Sequence, residues 1–93
     1  MSNINDVFTA LADKTRRHIL QMLRQKDMTP GELIKQFSIT QPSLTHHLNV
    51  LKQAALVTKE RKGQNIIYSL NVSVFEEVAT VMFEFFDKKQ ETN

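Results

Sequence analysis

Two helix-start signals stand close together in the middle of this chain, and together they restrict its fold more than any other feature. Thr29-Pro30-Gly31-Glu32 places threonine at an N-cap, proline at the first helical position and glutamate at the third. That is a capping box whose proline presets the first turn. Thr40-Gln41-Pro42-Ser43 is a second start, with proline at the second helical position, where no intrahelical hydrogen bond is lost. The earlier helix has only Leu33, Ile34 and Phe37 for an apolar face and must end before Ser38-Ile39-Thr40. The later one runs from Thr40 to Ala54, with Leu44, Leu48 and Leu51 on one stripe and Ala55 at its end. Two short helices joined by Phe37-Ser38-Ile39-Thr40 are predicted to form a helix-turn-helix.

The flanking segments complete the fold. Ile4, Val7, Phe8 and Leu11 recur at helical steps and predict a short first helix. Asp13 or Thr15 can cap a second, whose buried stripe is Ile19, Leu20 and Leu23, with Met22 at its margin and an end near Lys26-Asp27. Arg16, Arg17, Arg24 and Lys26 are expected to face outward, with Arg16 and Arg17 as ion-pair partners of Asp6 or Asp13, a phosphate contact being the alternative for one of them. After Ala55 the period changes to that of strands, Leu56–Lys62 and Gln64–Leu70, with Gly63 supplying the turn. Asn71 or Ser73 opens a last helix to about Lys88, and the polar tail Gln90–Asn93 is expected to fray. The predicted class is mainly α with a small β-hairpin (α+β), a winged helix-turn-helix in the order ααααββα. Residues 1–93 form one domain, with a terminal dimerisation helix at about 72–88.

Composition excludes several functions. The chain has no cysteine, so disulfides and thiolate metal sites are ruled out. No stretch approaches the roughly 18–20 apolar residues of a membrane span, and MSNINDVF lacks a secretory pattern, so a cytoplasmic location is expected. There is no Gly-rich phosphate loop and no acid–base constellation, which argues against an enzyme. Charge is unevenly spread. Residues 41–65 carry four Lys/Arg against one acid, whereas residues 66–93 carry two against five. Nucleic-acid binders concentrate positive charge where phosphates lie.

The polar side of the 40–54 helix is unusual for a solvated surface. It presents Gln41, Ser43, Thr45, His46 and Asn49, and no acid occurs from Gln41 to Lys59. Surface helices built for solubility favour Glu, Lys, Arg and Ala. Gln, Ser, Thr and neutral His can read base edges, and Leu44 is a candidate for contact with a thymine methyl. Lys52 adds a cation to this helix, and Arg61, Lys62 and Gln64 sit at the hairpin tip, where a wing can lie along phosphates or enter the minor groove. These ten residues, Leu44 included, are the candidate DNA-binding set. The alternative is a winged-helix protein-interaction module without specific DNA binding. His46 and His47 are adjacent on a helix and point about 100° apart, so they do not grip one metal ion. His47 is expected to face the core or a neighbouring helix, and His18 to pack or lie on the surface.

The last helix is too apolar for a monomer surface. Val74, Phe75, Val78, Ala79, Val81, Met82, Phe83, Phe85 and Phe86 wrap more than one narrow stripe. A homodimer is expected through Ile4, Val7 and Phe8 of the first helix and Phe75, Val78, Met82, Phe85 and Phe86 of the last. Burying one large side chain yields roughly 1.5–3 kcal/mol, enough in sum to meet an association cost of roughly 4–15 kcal/mol.

These residues also resemble a known family. Phe8-Thr9-Ala10-Leu11-Ala12-Asp13-Lys14-Thr15-Arg16-Arg17-His18-Ile19-Leu20 is similar to the opening signature of the ArsR family of bacterial repressors, with Lys14 where proline is common. The run from Thr40 to Val57 resembles the family's recognition helix and exit, and Arg61-Lys62-Gly63-Gln64 with Tyr68-Ser69-Leu70 resembles its wing. The likeness spans about residues 5–70. It implies a homodimeric transcriptional repressor on an operator in double-stranded DNA, closest to the family's cysteine-free autorepressors. The departures are informative. Glu32-Leu33-Ile34-Lys35-Gln36 stands where metal sensors carry Glu-Leu-Cys-x-Cys. The last helix offers Glu76, Glu77, Glu84 and Asp87 but no histidine, so neither a metal nor any other cofactor is expected. Ala55 stands where the family favours glycine, so the helix exit is expected to be tightened differently or strained. Release from DNA is left open between a protein anti-repressor, a small molecule and dilution.

Overall fold

In the computed structural model, which describes residues 3–87, each of the first four helices starts at a side chain that accepts from its own first turn. Helix α1 (Ile4–Leu11) is capped by Asn3, whose Oδ1 accepts from the Asn5 and Asp6 amides at 2.8 and 3.4 Å. Helix α2 (Lys14–Gln25) is capped by Asp13 rather than Thr15, its carboxylate accepting from the Arg16 amide at 3.0 Å. Helix α3 (Pro30–Ile34) has the full capping box: Thr29 Oγ1 accepts from the Glu32 amide at 3.1 Å, and Glu32 Oε1 from the Thr29 amide at 2.9 Å. Helix α4 (Gln41–Gln53) is capped by Thr40, whose Oγ1 accepts from the Ser43 amide at 3.2 Å. These bonds satisfy N–H groups that have no partner inside a helix.

Strands β1 (Val57–Lys62) and β2 (Asn65–Leu70) form the antiparallel hairpin, with Val57 opposite Leu70 and Lys62 opposite Asn65. Both start one residue later than the sequence suggests. Leu56 is held back because its amide closes the exit of α4 on the Leu51 carbonyl, at 3.0 Å. Gln64 belongs to the two-residue turn, where Gly63 takes a φ of 63°. The hairpin is tied to the helices by a short bridge. The Tyr68 amide donates to Met28 at 2.8 Å, and the Met28 amide donates back at 3.1 Å. The segment between α2 and α3 thus acts as a fragment of a third strand beside β2.

The core lies where α2, α4 and the base of the hairpin meet, with Ile19, Leu33, Leu48, Leu51, Leu56 and Val57 fully buried. Val7 corrects an expectation. Its spacing puts it on the dimer surface with Ile4 and Phe8, but it is 0% exposed within its own chain. With Ala10 it forms the stripe of α1 that packs inward, which leaves Ile4 and Phe8 outside.

Helix α5 (Val72–Asp87) follows Asn71, whose carbonyl accepts from the Val74 and Phe75 amides. Lys88, the expected end, and the tail Gln90–Asn93 lie outside the described residues. Only Val74, Phe75 and Val78 of this helix join the core, so the rest of it projects. The molecule accordingly measures 56 × 26 × 22 Å with a radius of gyration of 15.3 Å, against about 13 Å for a compact 100-residue domain.

Candidate nucleic-acid interface

Helix α4 is divided cleanly between two environments. Leu44, Leu48 and Leu51 are buried, and Gln41, Thr45, His46, Asn49 and Lys52 are exposed. Gln41, Thr45, Asn49 and Lys52 follow one another at steps of four, four and three, so they form one strip along the helix. Ser43 is half-buried beside the Thr40 cap. Leu44 is a second correction: at 2% exposure it belongs to the core and has no surface to offer a thymine methyl. The leucine stripe that anchors the helix begins at Leu44, as its spacing predicts, and takes that side chain out of the contact set.

The anchor on the other side is polar. Arg16 and Arg17 do not make the expected ion pairs with Asp6 or Asp13. They donate to carbonyls in the last turn of α1, of which Thr9 O also accepts from the Ala12 amide at 3.2 Å. Arg17 Nη1 reaches Leu11 O at 2.8 Å. Arg16 Nε and Nη2 reach Ala10 O and Thr9 O at 2.9 and 3.2 Å. The same guanidinium meets Nδ1 of His47, on α4, at 3.1 Å. His47 is half-buried, with Asp13 Oδ2 at 3.9 Å. Its pKa is lowered, by burial first and by the neighbouring Arg16 charge, against an upward pull from Asp13. The ring is therefore neutral near pH 7. His18 lies on the surface, with its ring edge-on to Phe37 at 4.7 Å.

The hairpin tip carries Arg61, Lys62 and Gln64, all exposed. Arg61 Nε donates to the Gly63 carbonyl at 3.3 Å, which holds the guanidinium stem at the turn. Lys62 lies 3.9 Å from Glu60, with both side chains largely in solvent, a contact too exposed to hold the cation in place. Glycine is required at 63 by its positive φ, and a Cβ there would meet no neighbour.

Of the residues expected between protomers, Ile4, Phe8, Met82, Phe85 and Phe86 are exposed, Phe75 and Val78 are half-buried against the core, and Val7 is internal. Among the described residues, no three His, Cys, Asp or Glu side chains come together to hold a metal ion. No described helix is long and apolar enough to cross a membrane.

The sequence pattern described as "Bacterial regulatory protein, arsR family" matches residues 13–59, from the cap of α2 into the wing. The chain belongs to the ArsR family. It is 47% identical over 85 residues to the transcriptional repressor SdpR of Bacillus subtilis, a likeness that covers 91% of this chain and 94% of that protein. It is 28% identical over 75 residues to an arsenical resistance operon repressor of Staphylococcus aureus, covering 81% and 72%. Among solved structures, an ArsR-like transcriptional regulator from Rhodococcus sp. RHA1 superposes with a TM-score of 0.88 at 25% identity, over 96% of this chain and 82% of that one. Another ArsR family regulator gives 0.85 at 26% identity, over 97% of both. ArsR-family regulators bind DNA and typically act as dimers. This chain is a DNA-binding transcriptional regulator of that family, folded as its winged helix-turn-helix.

Sequence reasoning missed the Met28–Tyr68 bridge and the Arg16–His47 contact. The bridge joins backbone groups, which leave no mark in residue type. The Arg16–His47 contact had one visible signal, the expectation that His47 faces the core or a neighbouring helix, but its partner is 31 residues away.

Proposed function

We propose that residues 1–93 act as one unit, and that two copies form a symmetric dimer that represses transcription from an inverted-repeat operator in the cytoplasm. The observation that carries this reading is the exposed strip of α4. Gln41, Thr45, His46 and Asn49 are uncharged polar groups standing opposite a fully buried leucine stripe. They suit base edges in a major groove, with Ser43 and Lys52 at the margins of the strip. Arg61, Lys62 and Gln64 extend the contact to the backbone or minor groove beside it. The names of the relatives, both repressors, support the sense of regulation.

The projecting α5 supports the dimer. Phe85 and Phe86 are 71% and 64% exposed, a state a water-facing helix does not sustain. They join Met82 with Ile4 and Phe8, and with the outer edges of Phe75 and Val78, as the self-complementary patch of a two-fold interface. The absence of cysteine removes thiolate ligands and supports a regulator that does not sense metals through them.

The test is selection of duplexes from a random pool by the full chain. The expected product is an inverted repeat with half-site centres about one helical turn, roughly 34–36 Å, apart. Enrichment of no sequence, or of an unrepeated site, contradicts the proposal.

A further inference from the structure

The Arg16 guanidinium joins three parts of the fold. It donates to the Thr9 and Ala10 carbonyls at the end of α1, rises from the first turn of α2, and meets His47 Nδ1 on α4 at 3.1 Å. A guanidinium has donors only. The contact therefore needs the lone pair of Nδ1, which puts the proton of the neutral ring on Nε2. On α4, His47 directly follows His46 and lies between Thr45 and Asn49 of the exposed strip. The end of α1 that holds the guanidinium also carries exposed Phe8.

We infer that Arg16 is a positioning residue for DNA reading: through His47 it sets where α4 stands against α1, and protonation of His47 releases that hold. The inference rests on the proposed reading of DNA by α4. The groups facing His47 decide the outcome. Arg16 faces it from α2, Asp13 from the α1–α2 junction at 3.9 Å, and His46 from α4 itself, with ring centroids 5.5 Å apart. On α1 the acid is Asp6, which lines a pocket with Thr9, Asn49, Val50 and Gln53. An imidazolium at 47 repels Arg16 and turns to Asp13. Asp13 is already the cap of α2 through the Arg16 amide. One proton thus removes the acceptor from Arg16 and draws on the cap that orients it. Other groups of the complex also respond to pH. The comparison must therefore be between variants at position 47, not the raw profile of the unmodified chain.

The experiment uses the full chain and a duplex that it enriches from a random pool. Affinities for that duplex and for a scrambled one are measured at constant salt at about pH 7.5 and about pH 5.5, either side of an ordinary histidine pKa. His47→Gln supplies an amide oxygen that accepts from Arg16 at every pH. It is expected to match the unmodified chain within about threefold at the higher pH, and to bind the selected duplex about tenfold more tightly than that chain at the lower. Arg16→Lys keeps the charge but loses the planar fork. It is expected to lower the ratio of selected to scrambled affinity about tenfold, with scrambled binding unchanged. Parallel pH profiles for His47→Gln and the unmodified chain overturn the inference. So does a folded Arg16→Lys chain whose ratio is unchanged, and if that variant does not fold, the His47→Gln comparison decides. Equal affinity for every duplex overturns the DNA-reading proposal itself, a result distinct from either.

Discussion

The Leu56 amide donates to the Leu51 carbonyl at 3.0 Å, and the residue enclosed by this bond, Ala55, has a φ of 60°. With the Ala55 amide bonded to Lys52 O at 2.9 Å, and with Leu51 and Leu56 both buried, this is a complete Schellman ending built on alanine. A Cβ in the left-handed region costs roughly 1–2 kcal/mol. Removing it gives back part of that, because glycine also loosens the unfolded chain. Ala55→Gly should therefore raise stability by about 0.5–1 kcal/mol, which is about 2–8 °C in Tm for a domain of this size. Thermal denaturation checks this, and Ala55→Val should move Tm the other way.

Leu44 and Thr45 are neighbours on α4 with opposite duties. Leu44→Ala should destabilise by about 2–5 kcal/mol, the cost of a core cavity. Thr45→Ala should change stability by less than about 0.5 kcal/mol. Urea titration of both variants measures the contrast, and equal losses would remove the basis for dividing the helix into two faces.

Acid sensitivity should appear in two limbs. The carboxyls of Asp13 and Glu32 are held below their ordinary values, in each case chiefly by a backbone amide at a helix cap. Their folded forms favour the charged state, so their contributions are present above the ordinary carboxylate range and are lost as pH falls through and below it. His47 is also lowered, mainly by burial, and so prefers to be neutral when folded. Its contribution is complete above the ordinary histidine value of 6.5 and declines as pH falls below it. Denaturant midpoints measured across pH should show a mild loss starting near neutrality and a steeper one in the carboxylate range. His47→Gln should abolish the first limb only.

The dimer proposal predicts that Phe85→Asp with Phe86→Asp gives a folded monomer. Both side chains stand largely clear of their own chain, so the change should cost little within a protomer while placing charges in the pair interface. Sedimentation equilibrium at micromolar concentration reads the result. A mass that stays dimeric in the double variant would move the interface elsewhere.

Local signals in the chain were dependable where the physics is local. Thr29, Thr40 and Asp13 each accept from the amide three residues on, as their residue types predict, and Gly63 takes the positive φ that a tight hairpin requires. The misplacements of Val7 and Leu44 have a different origin. A helical stripe tells which residues share a face, but which part of that face is covered depends on the neighbours that the fold brings in. Helix α1, which carries Val7, packs against α2 and α4, and α4, which carries Leu44, packs against α1, α2, α3 and β1. Arg16 illustrates the limit. Its sequence neighbours suggest an ion pair, whereas the carbonyls of a finished helix and a histidine from α4 supply its partners.

The central claim is that the exposed strip of α4 reads base sequence. Its most direct test is the ratio of selected to scrambled duplex affinity for a chain carrying Gln41→Ala, Thr45→Ala and His46→Ala together. A good base contact contributes about 1–3 kcal/mol of discrimination. The ratio should therefore collapse by at least about a hundredfold, while affinity for scrambled DNA and its salt dependence persist through Lys52, Arg61 and Lys62. A ratio that survives the triple change intact would contradict the account.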